Sequence, residues 1–491
     1  MNIQDSPIFK KLTAANSLAE LFNGQYGLEI EAHRIDQQGK LSRIPHPETL
    51  GNRFFHPYIV TDYAESQLEL VTEPSKSLSD ARLRLAQLEW VVREQLQTDE
   101  AIWPISMPPR YDQADIDWLD TTFKRTWYQD YRDWLKEKYG STHATMTGIH
   151  VNISISPKLI QILFDASAEN DFVKFQNQTY FKLAQAFSAH RWLLVYLFGA
   201  APYTFNDSDS RIPDNISEPV RSLRGSAYGF ANDADIDIDY GTSVEQTLAQ
   251  MNSHIDEGKL FSAAEFYGTI RFKGDDVLEK GVSYLELRVL DTDPFDSVGI
   301  SENTLNVIDL LAAHFILTDH VYSRDELADA LALSNAVALQ NPNDQLPNLT
   351  EAKELLAELG KTAELFPMKF NDGLSLLSER ILSPAKTPAA KMIQAAQGLD
   401  TLATEMLETA RERTKMFHVK HDELKNNLFA DNTLTDTHIQ ALQLGLRVIN
   451  YSDKELLLAF KDHREVVNHP TDLTVLFPEL LKDDFFHQFE K

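Results

Sequence analysis

Alternation of apolar and polar positions marks four short segments of this chain. They are Gly27-Leu28-Glu29-Ile30-Glu31, Gln67-Leu68-Glu69-Leu70-Val71, Ile149-His150-Val151-Asn152-Ile153 and Tyr284-Leu285-Glu286-Leu287-Arg288. Residues two apart on a strand share a face. Each segment therefore predicts a strand with one apolar face and one face bearing Glu, His or Arg. If the four lie in one sheet, the polar face is a pocket floor of carboxylates with one imidazole. Hard divalent cations such as Mg²⁺ favour that floor. Periodicity alone leaves the plainer alternative open: four unrelated strands with solvated faces.

Elsewhere the pattern turns helical. Ser6-Pro7 starts a short helix within residues 1–25, with Phe9, Leu12 and Leu18 among its apolar positions. Residues 77–100 put Leu85, Leu88 and Val92 on one side of a long helix. His46-Pro47 and His56-Pro57 mark extended segments between them, because the residue before Pro avoids the helical region. A helix is expected from Ile116 to Tyr139, just before the His150 strand. Residues 170–200 predict a buried, aromatic-rich helix, residues 204–243 a polar loop, and residues 265–296 a return to strand. Val307 to Leu317 reads as a buried helix despite Asp309 and His314. From Glu302 onward the pattern is mostly helical. Strands interspersed with long helices, rather than alternating regularly with them, favour α+β with a mainly antiparallel sheet. We expect a catalytic unit over residues 1–380 and a helical layer over 381–491 packed on the same core.

Composition narrows the chemistry. Among 491 residues, 74 are acidic and 46 basic, a net charge of −28. That balance argues against nonspecific nucleic-acid binding, which needs clustered Lys and Arg. The chain has no cysteine. Disulfides, thiolate nucleophiles and Cys-ligated zinc are excluded within it. The N-terminal MNIQDSPIFKKLTAAN lacks the apolar run of a signal peptide. No stretch of about 18 apolar residues suggests a membrane span. A cytoplasmic protein is the expectation.

Several motifs are absent or weak. There is no Walker A pattern, no dinucleotide glycine fingerprint and no Gly-x-Ser-x-Gly elbow. Gly360-Lys361-Thr362 reads as a helix end. The run Asp233-Ala-Asp-Ile-Asp-Ile-Asp239 lacks the Gly and distant Glu of a calcium loop. His418 and His421 with Asp422 have helical spacing, and a surface position is the simpler reading. Glu29, Glu31, Asp62 and Glu69 stand apart from these. Clustered carboxylates raise each other's pKa unless cations neutralise them. Such a set suits phosphoryl transfer, where metal ions bridge phosphate oxygens.

The wording around these residues resembles a known family. GLEIEAHRID (27–36), GKLSRIPHPETLG (39–51) and TDYAESQLELVTEP (61–74) resemble the N-terminal signature of bacterial glutamate–cysteine ligase. IWPISMPP (102–109), TGIHVNIS (147–154), RSLRGSAYGF (221–230), EFYGTIR (265–271) and YLELRVLDTDPFDSVGIS (284–301) follow in the family's order. The likeness covers roughly residues 20–320 and is greatest to the ligase portion of bifunctional glutathione synthases.

The resemblance implies a fold similar to glutamine synthetase, a curved and mostly antiparallel sheet forming a funnel backed by helices. It implies Glu29, Glu31, Asp62, Glu69, His150 and Glu286 as ligands of two or three Mg²⁺ ions, with Mn²⁺ as an alternative. The substrates it implies are L-glutamate, L-cysteine and ATP, joined to γ-glutamylcysteine through a γ-glutamyl phosphate. Arg132, Arg271 and Arg288 are expected on the phosphates, since guanidinium forks suit oxyanions. Tyr63, Tyr131, Arg224, Phe230 and Tyr267 match the acceptor pocket, with Arg224 pairing the substrate carboxylate. The chain departs from the family at Phe230, commonly Tyr, which suggests a looser acceptor site. It also stops before the ATP-grasp portion of the bifunctional relatives, so the dipeptide rather than glutathione is the expected product. The competing readings are a related carboxylate–amine ligase with another acceptor, and a binding protein that keeps the fold without turnover.

Overall fold

A computed structural model describes residues 3–481, apart from 54–55, 116–117, 119–125, 207–210, 214–215, 217–218, 397, 430–431 and 453. The four alternating segments all become strands of one sheet. Its strands are β1 (Tyr26–Ile35), β2 (Ile59–Thr61), β3 (Gln67–Val71), β4 (Ala101–Ile102), β5 (Ile149–Ile153), β6 (Ile270–Lys273) and β7 (Tyr284–Leu290). The order is β2-β3-β1-β5-β7-β6, with β4 pairing the end of β1. Every pairing between these strands is antiparallel.

The period of two puts Leu28, Ile30, Leu68, Leu70, Ile149, Val151, Leu285 and Leu287 on the opposite side from the charged residues, where all are buried. They join one continuous core with Leu85, Leu88 and Val92 of the helix Leu78–Gln95, and with Val307, Ile308 and Leu311 of the helix Glu302–Thr318. Ser77 and Ser301 cap these helices by accepting from the backbone N–H groups of Asp80 and Thr304. Helices thus cover one face of the sheet, and the polar face is left to the site.

One irregularity matters there. Val151 pairs with Leu287 but Ile149 pairs with Leu290, so one extra residue of β7 lies opposite His150. Such a bulge bends a strand and re-aims its side chains, and bulges gather beside active sites.

Several elements differ from the sequence expectation. The helix before β5 is described over Thr126–Tyr139, and its expected start at Ile116 lies outside the described residues. The 170–200 segment is two helices, Phe172–Ala189 and Arg191–Phe198. The break falls at His190, whose ring nitrogen bonds the Ala186 carbonyl at 2.8 Å. The C-terminal region is not purely helical. After the helices Leu399–Val419, His421–Phe429 and Thr435–Gln443 it forms a second antiparallel sheet of β8 (Arg447–Tyr451), β9 (Leu456–Phe460) and β10 (His463–Val467). Phe417, Phe429 and Leu458 of this region nevertheless enter the main core. His418 is exposed, and His421 pairs with Glu94 at 2.8 Å at the surface. Among the described residues no helix is long and apolar enough to cross a membrane.

Candidate active site

Strand register assembles the polar face. Glu31 of β1 lies opposite Glu69 of β3, and Glu29 lies opposite His150 of β5. Asn152 lies opposite Glu286 of β7, and Glu286 opposite Arg271 of β6. The row runs Glu69, Glu31, Glu29, His150, Glu286, Arg271 across five strands. Asp62 follows β2 at the same edge as Glu69. A cavity of about 390 Å³ opens over this face. All six expected metal ligands, all three expected arginines, and Tyr63, Tyr131, Phe230 and Tyr267 line it.

Two electrostatic halves are distinct. In the first, the His150 ring nitrogen Nδ1 lies 3.0 Å from Glu29 Oε2 and 3.6 Å from Glu286 Oε1. Asn152 donates to Glu29 Oε1 at 2.7 Å. Arg288 contacts the Glu286 carboxylate, Lys273 Nζ lies 2.7 Å from it, and Arg271 lies 4.0 Å from it. Burial opposes ionisation of Glu286, yet Arg288, His150, Arg271 and Lys273 hold its carboxyl far below the usual range. Burial likewise raises the Glu29 carboxyl, but the bond from His150 leaves it lowered.

In the second half, Glu31, Asp62 and Glu69 face one another. Burial and the neighbouring Asp62 push the Glu31 carboxyl up to about 8. Burial, then Asp62 and Glu31, push Glu69 well above its ordinary value. Burial raises Asp62 against the pull of Arg288. The arginines that act on Glu31 and Asp62 do not offset the burial of these carboxyls, and a divalent cation would supply the missing charge.

His150 tests whether a metal fits. Burial, then Arg288, lowers its pKa to about 4, so the ring is neutral at pH 7. Nδ1 faces a carboxylate and therefore carries the proton. That leaves the lone pair on Nε2, which is buried and has no hydrogen-bond partner among the described residues. A neutral imidazole oriented by a carboxylate, with its other nitrogen unused, is the arrangement of a metal-binding histidine. Glu29, His150 and Glu286 can bring ligand atoms within 4.8 Å of one another. Among the described residues they are the one such group; the Asp233–Asp239 run forms none. Carboxylates with one imidazole fit Mg²⁺ or Mn²⁺ better than softer metals.

The remaining wall is aromatic and cationic. Phe230 packs on Tyr267 with ring centres 4.5 Å apart, and Tyr131 packs on Phe261 at 5.2 Å. Arg132 donates from Nε to the Tyr63 carbonyl at 2.7 Å and stacks over the Tyr63 ring at 4.7 Å. Arg288 lies 5.1 Å from the Phe230 ring centre. Arg271 donates to the Phe266 carbonyl from both Nε and Nη2, at 3.0 and 2.8 Å.

Arg224 stands apart from the other residues expected in the acceptor pocket. It lies behind this wall and does not line the cavity, touching only an adjoining void of about 10 Å³. It is buried, donates to the carbonyls of Leu290 and Arg288 at 3.1 and 3.2 Å, and pairs with Asp291 at 3.6 Å. Gly148 makes room for it: a Cβ there would sit 2.0 Å from Arg224 Nη2. It therefore braces β7, while its charge still acts on Glu31 and it lies 4.9 Å from the Phe230 ring centre.

Three ionisable cavity residues escaped the sequence reading. Lys273 was legible, since it is two residues beyond Arg271 on the same strand. His143 and Arg53 reach the cavity from segments without alternation, and no sequence signal marked them.

Comparison with known proteins bears on the family and the fold. The family model described as glutamate-cysteine ligase matches residues 9–257 and 237–335. The bifunctional glutathione biosynthesis protein GshAB of Streptococcus thermophilus is 31% identical over 477 residues, covering 94% of this chain and 61% of that protein. The Pasteurella multocida GshAB is 33% identical over 483 residues, covering 92% and 61%. The chain thus spans about 61% of the length of these curated relatives. Among solved structures, the bifunctional glutathione synthetase from Pasteurella multocida superposes with a TM-score of 0.83 at 30% identity, over 95% of this chain and 63% of that one. The glutamate–cysteine ligase from Francisella tularensis, solved with AMP, gives a TM-score of 0.73 at 25% identity, over 86% and 98%.

Proposed function

The chain belongs to the glutamate–cysteine ligase family, and we propose that it joins the γ-carboxylate of L-glutamate to the amine of L-cysteine with conversion of ATP to ADP and phosphate. A γ-carboxylate oxygen attacks the γ-phosphorus of ATP and ADP leaves. The cysteine amine then attacks the acyl carbon, the C–O bond to phosphate breaks, and the amine loses a proton. A carboxylate is a poor acyl donor, and phosphorylation gives it a leaving group. The chemistry needs no protein nucleophile, so the work is positioning and charge neutralisation.

Glu29, His150 and Glu286 would hold one divalent cation, and Glu31, Asp62 and Glu69 one or two more, Mg²⁺ or Mn²⁺. When bound, these ions offset charge on the polyphosphate and the transferring phosphoryl group. Arg271 and Arg288, beside Glu286 on the floor, would contact that group. Arg132, fixed by the Tyr63 carbonyl, adds a third guanidinium at the opposite wall. Tyr63, Tyr131, Phe230 and Tyr267 enclose the acceptor and keep water from the acyl phosphate. ATP and a thiol acceptor suit the cytoplasm, where thiols stay reduced. By likeness to relatives named for glutathione biosynthesis, the dipeptide would be the first product toward that tripeptide.

The observation that carries this reading is His150, whose Nδ1 faces Glu29 and Glu286 while its Nε2 is buried without a hydrogen-bond partner among the described residues. The test is product identification: ATP, Mg²⁺, glutamate and cysteine should yield a dipeptide whose fragmentation shows a γ rather than an α linkage. A second reading, a different small amino acid as acceptor, is favoured by Phe230 alone, since its ring offers no hydroxyl to the pocket. Acceptor competition in the same assay separates the two.

A further inference from the structure

Glu286 has more cationic neighbours than a metal ligand can keep. Arg288 contacts Oε1 and Arg271 lies 4.0 Å from the same oxygen, with the neutral His150 ring 3.6 Å away. Lys273 lies 2.7 Å from Oε2. For Glu286 to turn an oxygen toward a divalent cation, one of these positive groups must give way, because like charges at such distances repel strongly.

The cations differ in freedom. Arg271 is held by the Phe266 carbonyl, and Arg288 is buried beneath the Phe230 ring. Lys273 has no such anchor among the described residues. It sits on β6, the outer strand of the sheet, and its side chain is 37% exposed at the cavity mouth. Its contact is a charge pairing without hydrogen-bond alignment, since Glu286 Oε2 accepts no aligned hydrogen bond. A lysine ammonium on a flexible stem can move where a clamped guanidinium cannot.

We propose that Lys273 is a displaceable counter-ion. It neutralises Glu286 while the site holds no nucleotide, and it transfers to the phosphate oxygens of a nucleoside triphosphate when Glu286 takes a divalent cation. This deepens the ligase reading and rests on it. Lys273 therefore has opposite effects on two ligands: it competes with the free cation and assists the nucleotide.

The test uses the whole chain, with Lys273→Met and Lys273→Arg beside wild type. Mn²⁺ binding without nucleotide is read by loss of the free-ion EPR signal. Binding of a non-hydrolysable ATP analogue with Mg²⁺ is read by calorimetry. Lys273→Met should bind free Mn²⁺ more tightly and the analogue about tenfold more weakly, the scale of one lost charged hydrogen bond. In turnover, KM for ATP should rise while KM for glutamate holds, and Lys273→Arg should recover much of the nucleotide affinity. Weakening of both ligands, or a change in neither or only one, overturns the proposal. If wild type gives no cysteine-dependent turnover, the ligase reading falls, and the two binding measurements still decide the role of Lys273.

Discussion

Glu31 and Glu69 are direct register partners across β1 and β3, with both carboxyls on the buried polar face. Two carboxylates so placed cannot both ionise without help. A group whose folded pKa is raised withdraws stability as pH rises from its unfolded value toward the folded one. For Glu31 that window runs from 4.5 to about 8. In chelator at pH 8, Glu31→Gln should therefore melt higher than wild type. Added Mn²⁺ should close the gap by stabilising wild type more. Equal melting temperatures in chelator would refute the description of this pair.

Acid should destabilise the protein through buried histidines other than His150. Burial lowers His33, His56, His314 and His438 to about 4. It also lowers His46 and His143 to about 3. The unfolded chain binds protons at these positions near pH 6.5, while the folded chain excludes them. Stability should thus be full above that pH and fall as pH drops toward 4. Each histidine contributes up to about 1.4 kcal/mol per pH unit. Denaturant melts at pH 7, 6 and 5 should show a steep decline. Replacing His46, whose two ring nitrogens have no hydrogen-bond partner among the described residues, with Gln should reduce the slope.

Arg224 separates a structural role from a substrate-binding one. Removing it strands the buried Asp291, and breaking such a pair costs about 3–5 kcal/mol. Arg224→Met should lower the melting temperature severely. Gly148→Ala should do the same with Arg224 intact, because the new Cβ collides with the guanidinium. A normally stable Arg224→Met protein with only a raised KM for cysteine would return Arg224 to the acceptor pocket.

Phe230→Tyr adds a hydroxyl beside Tyr267 and Arg288. One new hydrogen bond to the acceptor contributes about 0.5–1.5 kcal/mol, or roughly two- to tenfold in KM. Cysteine KM should fall by that factor and the range of accepted amines should narrow. Unchanged values for both would show that Phe230 does not limit the acceptor site.

The strand alternation made the site legible. Glu29, Glu31, Glu69, His150, Glu286 and Arg288 fall on one face because the period of a strand is two, and antiparallel register then aligns them across the sheet. What stayed hidden depends on packing over long separations. Nothing in RSLRGSAYGF shows that Arg224 points behind the wall, because Gly148, Asp291 and two carbonyls decide it. The sheet β8–β10 was missed for a local reason. Its β9–β10 hairpin turns at Lys461-Asp462, with Lys461 at φ 53°, and lacks the Asn-Gly type of signal such turns usually carry. Leu456 to Phe460 is a short apolar run that a buried helix would show equally well.

The most direct test of the metal floor is ADP release with ATP, Mg²⁺ and L-glutamate, measured with and without L-cysteine for wild type, Glu29→Gln and Glu286→Gln. We predict cysteine-dependent release from wild type and a loss of at least about a hundredfold in both variants, as expected when metal-site groups are removed. Cysteine-dependent release that survives in either variant would contradict the assignment of Glu29, His150 and Glu286 as the catalytic metal site.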